Sequence, residues 1–238
     1  MKQKILLIFF CLSIYMLNAQ TIMTWDYPVK PGTSEWIALS THDEKVEVCQ
    51  IPVGILSTIT TEELVELCLN YPIQFDFYAF NSMQEGLIKV ANNFNGLQEL
   101  FRREDSAQYL IDLLIKNDLE VLSNKSLSSS QIGKMIIRQT LIEVMLSHEL
   151  VIGKTTLLQQ NQIAAIGMRD MSLKVEYPQL YSRFSLESSA YLLSANLKNM
   201  KNGDALSPNL ELFLREGRLQ NSMLIEEVKQ GYSNIVIR

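Results

Sequence analysis

Histidine, cysteine and proline are scarce in this sequence, with two, three and six copies in 238 residues. Two histidines are thin material for a metal centre, and three cysteines cannot build a disulfide scaffold in a chain long enough to bury its own core. Basic residues are outnumbered, 21 against 26 acidic, for a formal charge of -5. They occur singly or in pairs such as Arg102-Arg103. Nucleic acid is therefore not an expected partner, because phosphate backbones are held by clustered cations. Beyond the N-terminus no apolar run reaches the roughly 20 residues of a membrane-spanning helix. Even the stretch around Ile136 to Val151 is interrupted by charged or amide side chains. Runs of alternating Val, Ile and Thr, which would signal paired strands, are lacking as well.

The N-terminus reads differently. Lys2 and Lys4 precede an apolar run from Ile5 to Leu17, interrupted by Ser13 and closed by Asn18-Ala19. This is the pattern of a signal peptide over residues 1–19, too short to span a bilayer and ending in the small residue that signal peptidase requires. A lipid anchor on Cys11 fits less well, since Phe9 and Phe10 stand where small residues are needed. The expectation is export, to the periplasm or beyond the cell, with Gln20 as the mature N-terminus and no membrane span after cleavage. Loss of Lys2 and Lys4 takes the formal charge from -5 to -7. Cys49 and Cys68 would then remain in an oxidising compartment, where they form a candidate disulfide worth on the order of 3 kcal/mol. The alternative is that both are small buried hydrophobes on helix faces.

Residues 20–33, with Trp25, Tyr27, Pro28, Pro31 and Gly32, read as an extended arm, and 34–238 as a single helical domain. Ser34, Thr41, Thr60 or Thr61, Ser82, and Asp105 or Ser106 are placed to cap helices. The Thr60 helix carries Leu64, Leu67 and Cys68 on one face and stops before Pro72. The Ser82 helix carries Met83, Leu87, Val90 and Phe94, and the next long one Leu110, Leu113, Leu114 and Leu122. The aromatic segment Phe75 to Phe80 reads as a packed connector and the serine tract 123–130 as a loop. From Gln131 to about Leu150 the apolar positions wrap so broadly that a central helix is implied. Further helices are expected over 156–175, 186–201, 209–215 and 221–229, with Ile235 to Ile237 as a tail or short strand. Helix starts are unevenly spaced and no repeat consensus recurs. The fold class is all-α, either an irregular helical bundle or a degenerate α-solenoid of HEAT-like hairpins.

Motifs for chemistry fall short of their requirements. Gly153-Lys154-Thr155 resembles the end of a phosphate loop, but its first glycine would be His148 and no strand precedes it. His148-Glu149 lacks a second histidine four residues on, where Ile152 stands. His42 with Asp43 at a helix start is explained by capping and the helix dipole. The serines Ser126 to Ser130 have no histidine nearby and no nucleophile elbow. Glu62, Glu63 and Glu66, and Glu226 with Glu227, read as solvated helix residues rather than a glycosidase pair. Asp105-Ser106-Ala107 matches a short acceptor of O-linked glycosylation, with helix capping as the favoured explanation. No catalytic, cofactor-binding or metal-binding residue is assigned, and no cofactor is called for.

The segment Cys49-Gln50-Ile51-Pro52, Thr60-Thr61-Glu62-Glu63-Leu64, Cys68-Leu69-Asn70-Tyr71-Pro72 and Phe80-Asn81 resembles uncharacterised exported helical proteins of Bacteroides-like bacteria. The resemblance covers mainly residues 31–115 and implies an exported helical fold without an activity. A non-enzymatic interaction or scaffold module of the cell envelope, partnered by another envelope protein, is the function this combination favours. An enzyme or small-ligand binder whose site assembles only in the fold is the alternative.

Overall fold

A computed structural model of the chain describes residues 25–117, 119, 127–201 and 204–236. Among these the secondary structure is α-helix and 3-10 helix, with no strand. α1 (Ser34–Ala38), α2 (His42–Val48), α3 (Val53–Leu56) and α4 (Thr61–Leu69) lead to the 3-10 turn at Gln74–Tyr78. α5 (Met83–Asn93), α6 (Asn95–Arg102), α7 (Ser106–Lys116), α8 (Ser129–Leu146) and α9 (Glu149–Ile152) follow. The last are α10 (Leu157–Glu176), α11 (Arg183–Met200), α12 (Pro208–Glu216) and α13 (Met223–Val236). The chain is all-α, and its packing is that of a helical bundle.

Local chemistry explains where the helices begin. Thr41, Thr60, Ser128 and Thr156 each close a reciprocal capping box with the Glu or Gln three residues on. Each box satisfies two amides that helix geometry leaves without partners. Ser82, Ser182 and Ser207 make the single bond of a simple cap.

Several boundaries differ from the sequence expectation. Thr33, not Ser34, caps α1. The helix expected to run to Leu150 breaks after Leu146, because His148 adopts extended backbone (φ -61, ψ 135) and takes the Leu150 amide on its ring. Ser182 starts α11 ahead of Leu186. Pro208 occupies the first turn of α12, where its missing N–H costs nothing, instead of marking a break. The expected tail or strand near Ile235 is helical through Val236. Leu122, Ser126 and residues 1–24, signal peptide included, lie outside the described residues.

Packing gathers the helices around α8 and α11. Every residue of α8 from Gln139 to Leu146 is buried, as a central helix requires. α11 packs on α8, α9, α10, α12 and α13. One apolar cluster spans Tyr27 to Leu192 and includes Leu64, Phe77, Phe94, Leu110 and Val144. A second joins Met171, Leu193 and Leu197 to Phe213 and Val228. α11 belongs to both, since the adjacent Leu192 and Leu193 point to different sides of the helix. From Trp25 to Thr33 the chain carries no helix, and it is pinned by Tyr27, whose buried hydroxyl donates to the Leu67 carbonyl at 2.9 Å.

Candidate functional site

α5 and α11 each contribute a stripe to an open groove of about 740 Å³. Gln84, Leu87 and Ile88 form the first stripe, and Tyr191, Ala195, Lys198 and Asn199 the second. Both follow the three- and four-residue spacing of one helix face. Leu214 of α12 and the α8–α9 junction from Ser147 to Gly153 complete the lining.

Most polar groups here are already committed to holding helices together. The Tyr191 hydroxyl donates to the Leu214 carbonyl at 2.9 Å, and Lys198 Nζ donates to Glu211 Oε2 at the same distance. Asn199 Nδ2 donates to the Ile152 carbonyl at 2.8 Å and to Thr155 Oγ1 at 3.0 Å. The His148 ring lies flat on Phe101, centroids 3.8 Å apart, and its Nδ1 accepts from the Leu150 amide at 3.3 Å. Burial lowers its pKa, which favours the neutral ring, and an accepting Nδ1 places the proton on Nε2.

Gln84 is the exception. It is 9% exposed, and neither Nε2 nor Oε1 has a hydrogen-bond partner among the described residues. An amide left unpaired inside a protein costs on the order of 1–3 kcal/mol. Its Oε1 lies 3.2 Å from where a Cβ on Gly217 would sit.

The strongest electrostatics are elsewhere, between α8, α10 and α11. Lys174 Nζ donates to both Glu143 oxygens at 2.8 Å, to Ser189 Oγ at 2.7 Å and to the Ser185 carbonyl at 3.1 Å. Both charged side chains are fully buried. Beside them Asp170 accepts from Gln139 Nε2 at 2.6 Å and from Arg169 at 3.0 Å, and Gln139 accepts from Asn117 at 2.8 Å. Burial pushes Glu143 up to about 7, with the Lys174 ammonium pulling the other way, and burial raises Asp170 too. This network braces three helices and contributes no residue to the groove lining.

The residues singled out in the sequence fall as follows. Lys154 Nζ donates to the carbonyls of Phe101, Arg102 and Arg103 at 3.0–3.1 Å, closing the α6 C-terminus where a phosphate loop would have needed it free. His148 lines the groove, whereas His42 meets Asp76 Oδ2 at 2.8 Å at the surface. Among the described residues no group of three His, Cys, Asp or Glu side chains could hold a metal. Cys49 and Cys68 are fully buried free thiols in one apolar cluster. Burial pushes Cys49 up to about 12 and also raises Cys68.

Three readings need correction. Asp105 takes the N-cap position of α7 as expected but makes no side-chain cap bond: it accepts from Thr61 Oγ1 at 2.8 Å, and the buried Ser106 hydroxyl donates to the Arg103 carbonyl at 2.9 Å. That leaves no exposed hydroxyl for a glycan. Several surface carboxylates are also more than solvated helix residues. Glu63 is buried in the α4 capping box, Glu66 pairs with Arg138 at 2.5 Å, and Glu227 accepts from Ser207 and Asn209 at 2.7 Å.

Sequence reasoning missed Gln84, Tyr191 and Asn199 in the groove, and the buried pair Glu143 and Lys174 outside its lining. The acid inside the apolar run Leu141 to Leu146 was the one legible signal, because a carboxylate on a helix buried all round demands a partner. Set against protein-family models, characterised proteins and solved structures, the chain matches none of them.

Proposed function

We propose that this protein is a non-enzymatic interaction module of the cell envelope and that the groove between α5 and α11 receives another envelope protein. The observation that carries this reading is the makeup of the groove. Ile88, Ala195 and Leu214 offer apolar area, while Tyr191, Lys198 and Asn199 are tied into contacts between helices. What the groove presents is shape more than chemistry. The fully buried ion pair Glu143–Lys174 spends its hydrogen bonds on bracing helices and lines no part of the groove. Envelope placement rests on the N-terminal sequence, with Lys2, Lys4 and the apolar run to Leu17, and on the resemblance of residues 31–115 to exported proteins.

A photo-cross-linking residue at Ile88, 52% exposed in the groove, tests the reading against one at Val53, 79% exposed and outside it. Illumination in the native cell should join Ile88 to one dominant partner and leave Val53 without it. Equal adducts at both positions, or none, would reject the groove as the docking site. Mass spectrometry of the mature chain should find Gln20 at its N-terminus, and an intact Met1 in the cytoplasm would remove the envelope half of the proposal.

The alternative, a small-ligand binder or enzyme, is favoured by one observation: His148 presents a neutral imidazole at the groove edge. Replacement by Gln, which keeps a donor and an acceptor, separates the two. An activity that His148→Gln abolished without affecting the cross-link would support this second reading.

A further inference from the structure

We propose that a second cleft, beside the N-terminal arm, binds a neutral sugar ring, and that the Tyr71 hydroxyl and the Gln74 amide hold its hydroxyl groups. The cleft has a volume of about 420 Å³, within the size range of small-molecule sites, and shares no lining residue with the groove between α5 and α11. It forms where the arm from Asp26 to Pro31 meets the end of α4 and the start of the 3-10 turn.

Tyr71 supplies the observation that points to a ligand. Its ring is stacked on Phe94, centroids 4.4 Å apart, and the residue is only 2% exposed. The hydroxyl has no hydrogen-bond partner among the described residues. It is nevertheless not one of the unpartnered polar atoms sealed from water, which among the described residues belong to Gln84 and Asn196. The small part of Tyr71 that stays open therefore includes its hydroxyl, and the cleft that Tyr71 lines is where it opens. Burial raises its pKa, so the phenol keeps its proton and can both donate and accept.

The neighbours are matched to the same kind of ligand. The Gln74 side chain has no partner among the described residues and carries donors on Nε2 and an acceptor on Oε1. Asn70 Nδ2 donates to the Glu66 carbonyl at 2.8 Å, which fixes the amide and leaves Oδ1 to accept. The two charges of the cleft are already spent on each other. Lys30 Nζ bonds Asp26 Oδ2, and Asp26 Oδ1 accepts from the Tyr27 amide at 2.8 Å. An ionic ligand would meet no unpaired opposite charge here, whereas a neutral one needs none. Hydroxyl groups suit Tyr71, Gln74 and Asn70 together, because one oxygen both donates and accepts, and a sugar ring carries several on adjacent carbons. Pro31 and Pro72 offer apolar surface to the carbon-bound hydrogens of the same ring.

The test titrates the 15N-labelled protein with glucose, galactose, mannose and N-acetylglucosamine in turn, followed by NMR. At least one sugar should shift the amides of Tyr71, Gln74 and Lys30 saturably and leave those of Ile88 and Ala195 in place. Tyr71→Phe removes only the unpartnered hydroxyl and keeps the ring on Phe94, so it should fold like the parent and bind that sugar about tenfold more weakly. Gln74→Leu should weaken binding by a similar factor, and Ile88→Ala should leave it unchanged. Three results would overturn the proposal: no shift at these amides with any of the four sugars, Tyr71→Phe binding as tightly as the parent, or inorganic phosphate shifting the same amides where the sugars do not. Because the two sites share no residue, none of these results bears on the Ile88 cross-link that tests the interaction module.

Discussion

At the scale of single residues, the Glu143–Lys174 pair shows how little a buried charge contributes and how much it can cost. Two ions taken out of water recover their desolvation only through close partners, here Ser189 and the Ser185 carbonyl. Lys174→Met strands the Glu143 carboxylate, and we expect urea unfolding to show a loss of about 3–5 kcal/mol, much of it recovered by the double variant Glu143→Leu, Lys174→Met. The pair also sets a pH dependence. Burial raises Glu143 from 4.5 to about 7, so between those values the folded protein binds more protons than the unfolded chain. Its contribution to stability is therefore full below about 4.5 and declines as pH rises towards 7. Asp170 shifts in the same direction, whereas the lowered His148 acts in the opposite sense. The stability difference between the parent and Glu143→Gln should shrink as pH rises from 4.5 to 7, and a difference constant across that window would contradict the assignment. Lys154 makes a simpler case. Lys154→Ala removes donors from three carbonyls at the α6 C-terminus, and a destabilisation of about 1–2 kcal/mol is expected by chemical denaturation. Nucleotide binding plays no part in it.

At the scale of elements, two glycines set how closely helices approach. A Cβ on Gly86 would lie 2.1 Å from the Phe77 carbonyl oxygen, so α5 rests directly on the 3-10 turn. Gly217 ends α12 in the left-handed conformation, φ +69, with a Cβ position 2.6 Å from Ser82 Oγ. Gly217→Ala carries both the left-handed penalty and a clash, and calorimetry should find it destabilised by about 1–3 kcal/mol. The same change at exposed Gly54, which has open space and an ordinary φ, is the control and should be neutral or slightly stabilising. Capping works on a smaller scale. Thr156→Ala opens the box at the start of α10 and should cost about 1 kcal/mol in the same measurement.

At the scale of the whole molecule, α11 links two apolar clusters. Leu192 belongs to one and Leu193 to the other, and α10 likewise sends Ile163 and Met171 to different clusters. Helices shared in this way couple the two halves, so we expect one cooperative unfolding transition. Leu193→Ala should lower the whole transition by about 2–5 kcal/mol without splitting it in two. Two separate transitions would mean that the clusters unfold independently. Cys49 and Cys68 report on the same packing from inside the first cluster. Both are fully buried and held in the thiol form, so thiol reagents should label them only as fast as the native protein opens. Labelling after unfolding without reductant counts free thiols and tests the candidate disulfide.

The sequence by itself determined the all-α class, most helix starts, the buried α5 face of Met83, Leu87 and Val90, and the central place of α8. Those features depend on bonds that close within one turn, as between Thr60 and Glu63, or on periodicity along one helix. The tertiary structure alone decided which helices meet and what their polar groups do there. Glu143 finds Lys174 across 31 residues, and Lys154 reaches α6 across more than 50. No spacing rule encodes such pairings, because they follow from the packing of every apolar face at once. Gln84 makes the point from the other side. On the sequence it is one more polar position on an amphipathic helix, and only the approach of α12 through Gly217 encloses it against the groove with its amide unpaired.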